Sequence, residues 1–212
     1  MENINKITMN KDKKENIWDN YGEKDYMSLE LLNYKILYFN KLFDNFDCDK
    51  NELVIEIGAG HGISSQVFSQ IFSNYIVTEP NKYLFEKLTE LKNSNKKYVN
   101  MMLYQTSLEE LNLDNISINE KVNLVIFSYS FQYIEYNKCF NKLDEILKVN
   151  GFLLIMLPFK PFVLNEEFDD IKNKKWRKQI NQSINNIIRN EQYELLMLEK
   201  EKNYIILLKK II

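Results

Sequence analysis

The sequence predicts an α/β fold, a parallel sheet covered by helices on both faces, and three observations predict it. Short apolar runs (Leu53 to Ile57, Tyr75 to Thr78, Val122 to Phe127, Gly151 to Leu157) lack the polar alternation of a half-solvated strand and read as strands buried on both sides. Segments of helical period lie between them, and strand–helix alternation of this kind builds a parallel sheet. The 212 residues are enough for one domain with a full core.

In chain order, Met1 to about Glu15 is polar, lysine-rich and without period, which predicts a frayed start. A helix is predicted from about Ser28 to Phe43, where Leu29, Leu32, Ile36, Phe39, Leu42 and Phe43 recur at helical spacing. The first strand runs into Gly58-Ala59-Gly60-His61-Gly62, a loop that turns sharply and lets a ligand approach the backbone. An amphipathic helix, Ile63 to Phe72, follows, its N-terminus aimed at that ligand. The second strand, Asn74 to Thr78, ends in Glu79-Pro80 before a helix from Lys82 to Lys92. A third strand is predicted over Tyr98 to Tyr104, then a short helix around Glu109 and Glu110 that Thr106 or Ser107 can cap. The fourth strand, Val122 to Phe127, delivers Ser128 to Ile134 to the crevice where open α/β sheets bind ligands. A helix from Tyr136 to Lys148 stops at Asn150-Gly151, and the fifth strand follows to Pro158. A loop over Phe159 to Phe168, a polar helix over Glu167 to Arg189 and a hairpin of Tyr193–Leu198 with Tyr204–Ile211 complete the chain. The basic run Lys172 to Lys178 reads as a solvated helix face.

The glycine spacing selects the nucleotide. A dinucleotide fingerprint counted from Gly58 would need a third glycine at position 63, where the chain has Ile63. The sequence instead reads E-x-G-x-G-x-G from Glu56 to Gly62, and a second strand ends in an acid, Glu79, about 20 residues after the first glycine. This resembles motif I of the class I S-adenosylmethionine (SAM) methyltransferases, the small-molecule type in particular. The resemblance implies a Rossmann-like sheet of seven strands, mostly parallel, with helices on both faces and an antiparallel C-terminal strand. It also implies a division of a single domain into an N-terminal helical lid (1–50) and a SAM-binding region (51–212).

SAM carries an ammonium and a carboxylate where a dinucleotide has a pyrophosphate, so an acid at Glu56 can face the ammonium. The resemblance places the cofactor on Glu56, Gly58, Ala59, Gly60 and Gly62, with the ribose on Glu79 beside Pro80. It puts adenine at Ser107, which stands where relatives often carry Asp, and at the backbone of Leu108. Ser128 closes the site at the end of the fourth strand. Trp18 and Tyr21 resemble lid aromatics that fold over cofactor and substrate, although simple core packing explains them equally well.

A sulfonium is already activated, so the enzyme has to align nucleophile, methyl carbon and sulfur and exclude water. The single histidine, His61, lies in the glycine loop, and none follows the fourth or fifth strand, which disfavours a histidine base. Tyr21, Tyr129, Gln132 and Tyr133 are the candidate catalytic residues, and Tyr129, Phe131, Tyr133 and Phe159 at the strand ends can wall a pocket that favours a cation by cation–π attraction. After the fourth strand there is no Asn-Pro-Pro-Tyr or Asp-Pro-Pro-Tyr, which speaks against methylation of adenine or amide nitrogens.

The net charge of −2 offers no global field for nucleic acid or an anionic membrane. Cys48 and Cys139 have no metal-ligand spacing, which predicts no metal, and free thiols without a signal peptide predict a cytoplasmic protein. The expectation is therefore a SAM-dependent methyltransferase acting on a nitrogen or oxygen of a small molecule, with nucleic acid and membrane disfavoured as partners. The alternatives are a protein or RNA methyltransferase and a scaffold that keeps the fold without catalysis.

Overall fold

A computed structural model of the chain describes residues 29–114, 120–134, 136–157, 171–199 and 204–212. In order, these form α1 (Leu29–Asn45), β1 (Leu53–Ile57), α2 (Ser65–Phe68), β2 (Asn74–Thr78), α3 (Lys82–Ser94), β3 (Met101–Tyr104), β4 (Val122–Ser128), α4 (Tyr136–Ile146), β5 (Leu147–Leu157), α5 (Ile171–Ile188), β6 (Tyr193–Glu199) and β7 (Tyr204–Lys210). The strands make one seven-stranded sheet in the order β3-β2-β1-β4-β5-β7-β6. β1 to β5 pair in parallel, and β7 inserts antiparallel between β5 and β6. The predicted class, the mixed sheet and the C-terminal hairpin are all present.

β1 and β4 are buried at every position, which is why both are mostly apolar and lack alternation, Glu56, Asn123 and Ser128 being the polar exceptions. The pleat sends their side chains to two cores. Ile55, Ile57, Val125, Phe127 and Ile155 meet Leu143, Ile146, Ile184 and Ile187 of α4 and α5. Val54, Tyr75, Val77, Leu124 and Ile126 meet Phe39 and Phe43 of α1 together with Phe68 and Phe72. The second core is rich in rings; Phe39 lies 5.1 Å from Phe68 and Phe43 5.0 Å from Phe72, centroid to centroid. Glu56 alternates onto this aromatic face, between Ile55 and Ile57.

The structure departs from expectation at several boundaries. The helix after the glycine loop is a single turn, Ser65–Phe68, with looser turns continuing to Phe72. Ser64 and Ser65 spend their hydroxyls on Glu56, and serines that bond away from the helix favour turns over its continuation. One turn also adds little dipole to the loop. β3 begins only at Met101, because Lys96–Tyr98 closes into a 3-10 turn in which the Asn95 side chain accepts from Lys97 N. β5 begins earlier than expected, at Leu147, which pairs with Val122 across a bulge. Asn150 takes φ +65° there, and a Cβ on Gly151 would stand 2.8 Å from Lys148 O and 2.9 Å from Asn123 O. Trp18, Tyr21, Ser28 and Phe159 lie outside the described residues. Among the described residues no helix is long and apolar enough to cross a membrane.

Candidate functional site

The C-terminal ends of β1, β2 and β4 open into a cleft of about 1080 Å³, a size suited to a nucleoside cofactor together with an acceptor. Its floor is the glycine loop. Ala59 N donates to Thr78 O at 2.9 Å, so the loop hangs from the end of β2. Gly60 N donates to Glu79 Oε2 at 2.7 Å, and Asn81 N donates to Glu79 Oε1 at 2.8 Å. Each carboxylate oxygen keeps a further lone pair, and Glu79 lines the cleft. Burial pushes the Glu79 carboxyl up, the Asn81 and Gly60 amides pull it back, and the charge of Glu56 adds to the upward side. Asn81 caps α3, its side chain accepting from Leu84 N at 3.0 Å.

The three glycines do different things. Gly60 has φ +62°, and a Cβ there would meet nothing within 4 Å, so its open side is space in the cleft. Gly58 has φ +67°, and a Cβ would stand 2.9 Å from Ser130 Cβ, tying the loop closely to the segment after β4. Gly62 is not on the cleft, which corrects its assignment to the cofactor. At φ +90° its Cβ would lie 2.6 Å from Leu88 Cδ1 and 2.7 Å from Leu91 Cδ2, so it lets the loop close against α3.

Glu56 lies beneath the loop, fully buried and not on the cleft surface, so direct contact with a cofactor ammonium is not what this geometry offers. Ser64 Oγ and Ser65 Oγ each donate to Glu56 at 2.5 Å, and the Tyr75 hydroxyl donates to Oε2. The pleat that puts Ile55 and Ile57 in one core puts Glu56 under the loop in the other. Burial pushes its carboxyl up while the hydroxyls of Ser64, Ser65 and Tyr75 pull it back. Of these partners only Ser64 reaches the cleft, so Glu56 touches the site through that serine.

Ala59, Pro80, Ser107, Leu108 and Ser128 all line the cleft. Ser107 Oγ also accepts from Glu110 N at 3.3 Å, so it is at once a local cap and a wall residue. Ser128 is 7% exposed, and among the described residues its buried hydroxyl has no hydrogen-bond partner. Tyr129 lines the cleft with φ +58°, a strained conformation for a bulky side chain. Two bonds hold it: Tyr129 N donates to Met156 O at 3.0 Å, and Gln132 Nε2 donates to Tyr129 O at 2.6 Å. Gln132 does not reach the cleft; as a candidate catalytic group it is corrected to a brace of the turn. Tyr133 lines the cleft, and Phe131 is buried against Phe127 at 5.4 Å.

Sequence reasoning missed the wall made by α1. Tyr34, Lys35 and Tyr38 line the cleft from that helix, and the Tyr38 hydroxyl donates to Glu199 Oε2 at the end of β6. Helical spacing around Leu32, Ile36 and Phe39 marks the buried stripe of α1. Nothing in it announces that the residues beside the stripe meet a strand 161 positions away.

The cleft fits SAM on these observations: open space at Gly60, a carboxylate with free lone pairs at Glu79, and an unsatisfied hydroxyl at Ser128.

Residues 23–134 match the model of the ribosomal RNA adenine dimethylase family, more than half the chain and the whole glycine loop. No curated protein matches. Among solved structures, an rRNA methylase from Streptococcus thermophilus is similar at 16% identity and a TM-score of 0.59, over 84% of this chain and 97% of that one. A SAM-dependent methyltransferase from Clostridium acetobutylicum matches at 13% identity and 0.60, over 94% and 98%. A Streptococcus mutans protein in complex with S-adenosylhomocysteine matches at 14% identity and 0.57, over 84% and 98%. At such identities these structures establish the fold. The family match overturns the partner expectation, a small molecule with nucleic acid disfavoured. Net charge averages over the whole surface and does not report on the lining of one cleft.

Proposed function

The chain belongs to the ribosomal RNA adenine dimethylase family and is a SAM-dependent methyltransferase, and on that premise we propose that it methylates a base nitrogen of RNA. The observation that carries this reading is the family match, which spans the glycine loop, β1 to β4 and the turn after β4. The cleft supports it, because both walls carry tyrosines that can lie against a base.

Bound in the cleft, SAM would supply an activated methyl group, the S–C electron pair staying on sulfur as S-adenosylhomocysteine forms. Glu79 would hold the ribose hydroxyls with the lone pairs that Gly60 and Asn81 leave open. Gly58, Ala59 and Gly60 give the methionine part its room, and Ser107 with the Leu108 backbone borders the adenine. The absence of Asn-Pro-Pro-Tyr after β4 counted in the sequence against adenine or amide nitrogens, and the match to an adenine dimethylase family points the other way. Tyr129, half-buried and with its phenol pushed up by burial, stays neutral and closes the site against water.

The test is transfer of tritiated methyl from SAM to unmodified, in-vitro-transcribed ribosomal RNA, followed by digestion to nucleosides. Label in a methylated nucleoside, lost in Glu79→Ala, is the expected result. Wild-type protein that binds SAM but leaves all RNA unlabelled would overturn the RNA reading.

A further inference from the structure

Resting on the RNA reading above, we propose that Glu199 forms a second subsite, which takes the Watson–Crick edge of an unpaired guanine flanking the base that is methylated. The sheet register builds the subsite. Ser128 pairs with Met156, Met156 with Ile205, and Ile205 with Glu199, so β4, β5, β7 and β6 bring one row of side chains to the same face. All four residues line the cleft. Met156 and Ile205 belong to the aromatic core with Phe39, which puts the row on the side that α1 covers. The cleft therefore runs on beneath α1 toward the edge strand of the sheet. In the strand order β2 and β6 lie on opposite sides of β4, so Glu79 and Glu199 mark opposite ends of it. At about 4.8 Å per strand, Glu199 stands roughly 14 Å from Ser128. Stacked nucleotides advance about 3.4 Å each along a strand, so this reach covers roughly four of them. Ile205 and Glu199 also lie beyond residues 23–134, in the part of the chain that the family model does not span.

The far end of the cleft has the chemistry of an acceptor. Met156 and Ile205 are apolar and buried, which leaves the half-buried Glu199 carboxylate as the polar group of the row beyond Ser128. The Tyr38 hydroxyl donates to Glu199 Oε2. Burial first, then the bond to Glu199 and its charge, push the Tyr38 phenol up, so it stays a donor. Among the described residues Glu199 Oε1 takes no hydrogen bond, and Oε2 keeps a further lone pair. A latch between α1 and β6 needs one acceptor; this side chain presents two oxygens side by side, one of them braced. Guanine is the base whose Watson–Crick edge carries two adjacent N–H groups, N1–H and the N2 amine, and one carboxylate accepts both. Adenine and cytosine set a single amine beside an acceptor nitrogen, which repels the second oxygen, and uracil flanks its N–H with carbonyls. The edge is free only in an unpaired base.

The experiment starts from the position labelled in ribosomal RNA. Each guanine within reach of that position is replaced in turn by inosine, through splinted ligation into the transcript; inosine keeps N1–H and lacks the N2 amine. Methyl transfer is measured with wild type, Glu199→Gln and Tyr38→Phe, and SAM affinity by calorimetry for each. One inosine should raise the wild-type KM roughly tenfold or more, as loss of a hydrogen bond to a charged group implies. Glu199→Gln keeps an acceptor for Tyr38, so it should show a raised KM on the guanine transcript and no further rise with inosine. Tyr38→Phe should fall between the two, and SAM affinity should be the same in all three. A wild type indifferent to every inosine, a labelled position with no guanine in reach, or a Glu199→Gln that keeps the wild-type response to inosine would overturn the subsite and leave RNA methylation standing. A wild type that binds SAM and labels no RNA would remove both.

Discussion

Glu79 takes the amide of Gly60 on one carboxylate oxygen, at 2.7 Å, and so locks the glycine loop to the end of β2. Its other oxygen takes Asn81 N at 2.8 Å, so the same side chain also fixes the entry into α3. The group expected to hold the ribose is therefore also the group that shapes the loop. Glu79→Ala should remove both functions and weaken SAM binding by roughly 10- to 100-fold, the range for hydrogen bonds to a charged group. Glu79→Gln keeps one acceptor and should lose less. Calorimetric titration of the two variants with SAM checks this, and equal affinity in wild type and Glu79→Ala would refute it.

Gly60 and Gly62 share a positive φ and differ in what surrounds them, which separates binding from folding. Gly60→Ala adds a methyl to open space in the cleft, so its folding cost is the left-handed penalty alone, roughly 1–2 kcal/mol. Its main effect should be weaker SAM binding. Gly62→Ala drives a methyl to within 2.7 Å of both Leu88 and Leu91. It should destabilise the fold by roughly 2–4 kcal/mol, from strain added to overpacking. Urea unfolding beside SAM titration resolves the two effects; a Gly60→Ala that unfolds as readily as Gly62→Ala would contradict the assignment.

Much of this was legible in the sequence. β1 and β4 lack polar alternation because helices cover both faces, and that identified the sheet. The glycines and Glu79 were legible because backbone φ and a strand-end acid are local demands. Glu56 was legible as a motif but not in its depth, since how far a strand-end acid lies beneath the cleft depends on how the loop folds back. Gly62 was misread for a similar reason: its neighbours, Leu88 and Leu91, are contributed by α3. The α1 wall with Tyr34 and Lys35 was not legible at all, because it exists only once α1 meets β6 through Tyr38 and Glu199.

Glu56 gives the protein a pH signature. Burial raises its folded-state pKa above the unfolded value, so between the two values the folded state holds more protons than the unfolded one. Stability from this group is then full below the ordinary glutamate pKa and falls as pH rises through the folded value. Glu79, also raised by burial, acts in the same direction. Glu56→Gln removes one such slope. The stability difference between wild type and Glu56→Gln, from urea unfolding, should therefore shift in favour of the variant between pH 4.5 and pH 8. A difference that stays constant would show that Glu56 does not titrate with folding.

Lys210 and Asp144 carry the opposite sign. Lys210 is 2% exposed, and its ammonium donates to Asp144 Oδ1 at 2.5 Å and to the carbonyls of Asp144 and Leu147 at 3.2 Å. The hydrogen bond from Lys210 holds the Asp144 carboxyl below its ordinary range. Its contribution is present above the unfolded aspartate pKa and lost as pH falls through the folded one. Because Asp144 is largely exposed, Asp144→Asn should cost only about 1 kcal/mol at pH 7, and less at pH 3. Thermal unfolding at the two pH values checks the sign, and a larger cost in acid would reverse it.

Tyr129 is the clearest case of stability set against use. A tyrosine at φ +58° costs roughly 1–2 kcal/mol relative to a residue at ease there, and glycine is at ease there. The strain is held by Met156 O and by the Gln132 amide, and it turns the Tyr129 ring toward the cleft beside Ser128. Tyr129→Gly relieves the backbone and deletes the ring. It should leave the fold within roughly 1 kcal/mol of wild type, because lost packing offsets the relief, and lower methyl transfer at least tenfold. Gln132→Ala should act more gently, freeing the turn while keeping the ring, so kcat falls and SAM affinity holds. Tyr129→Gly with wild-type kcat would mean that the strained tyrosine serves packing, and the wall of the site would have to be sought in Tyr133 alone.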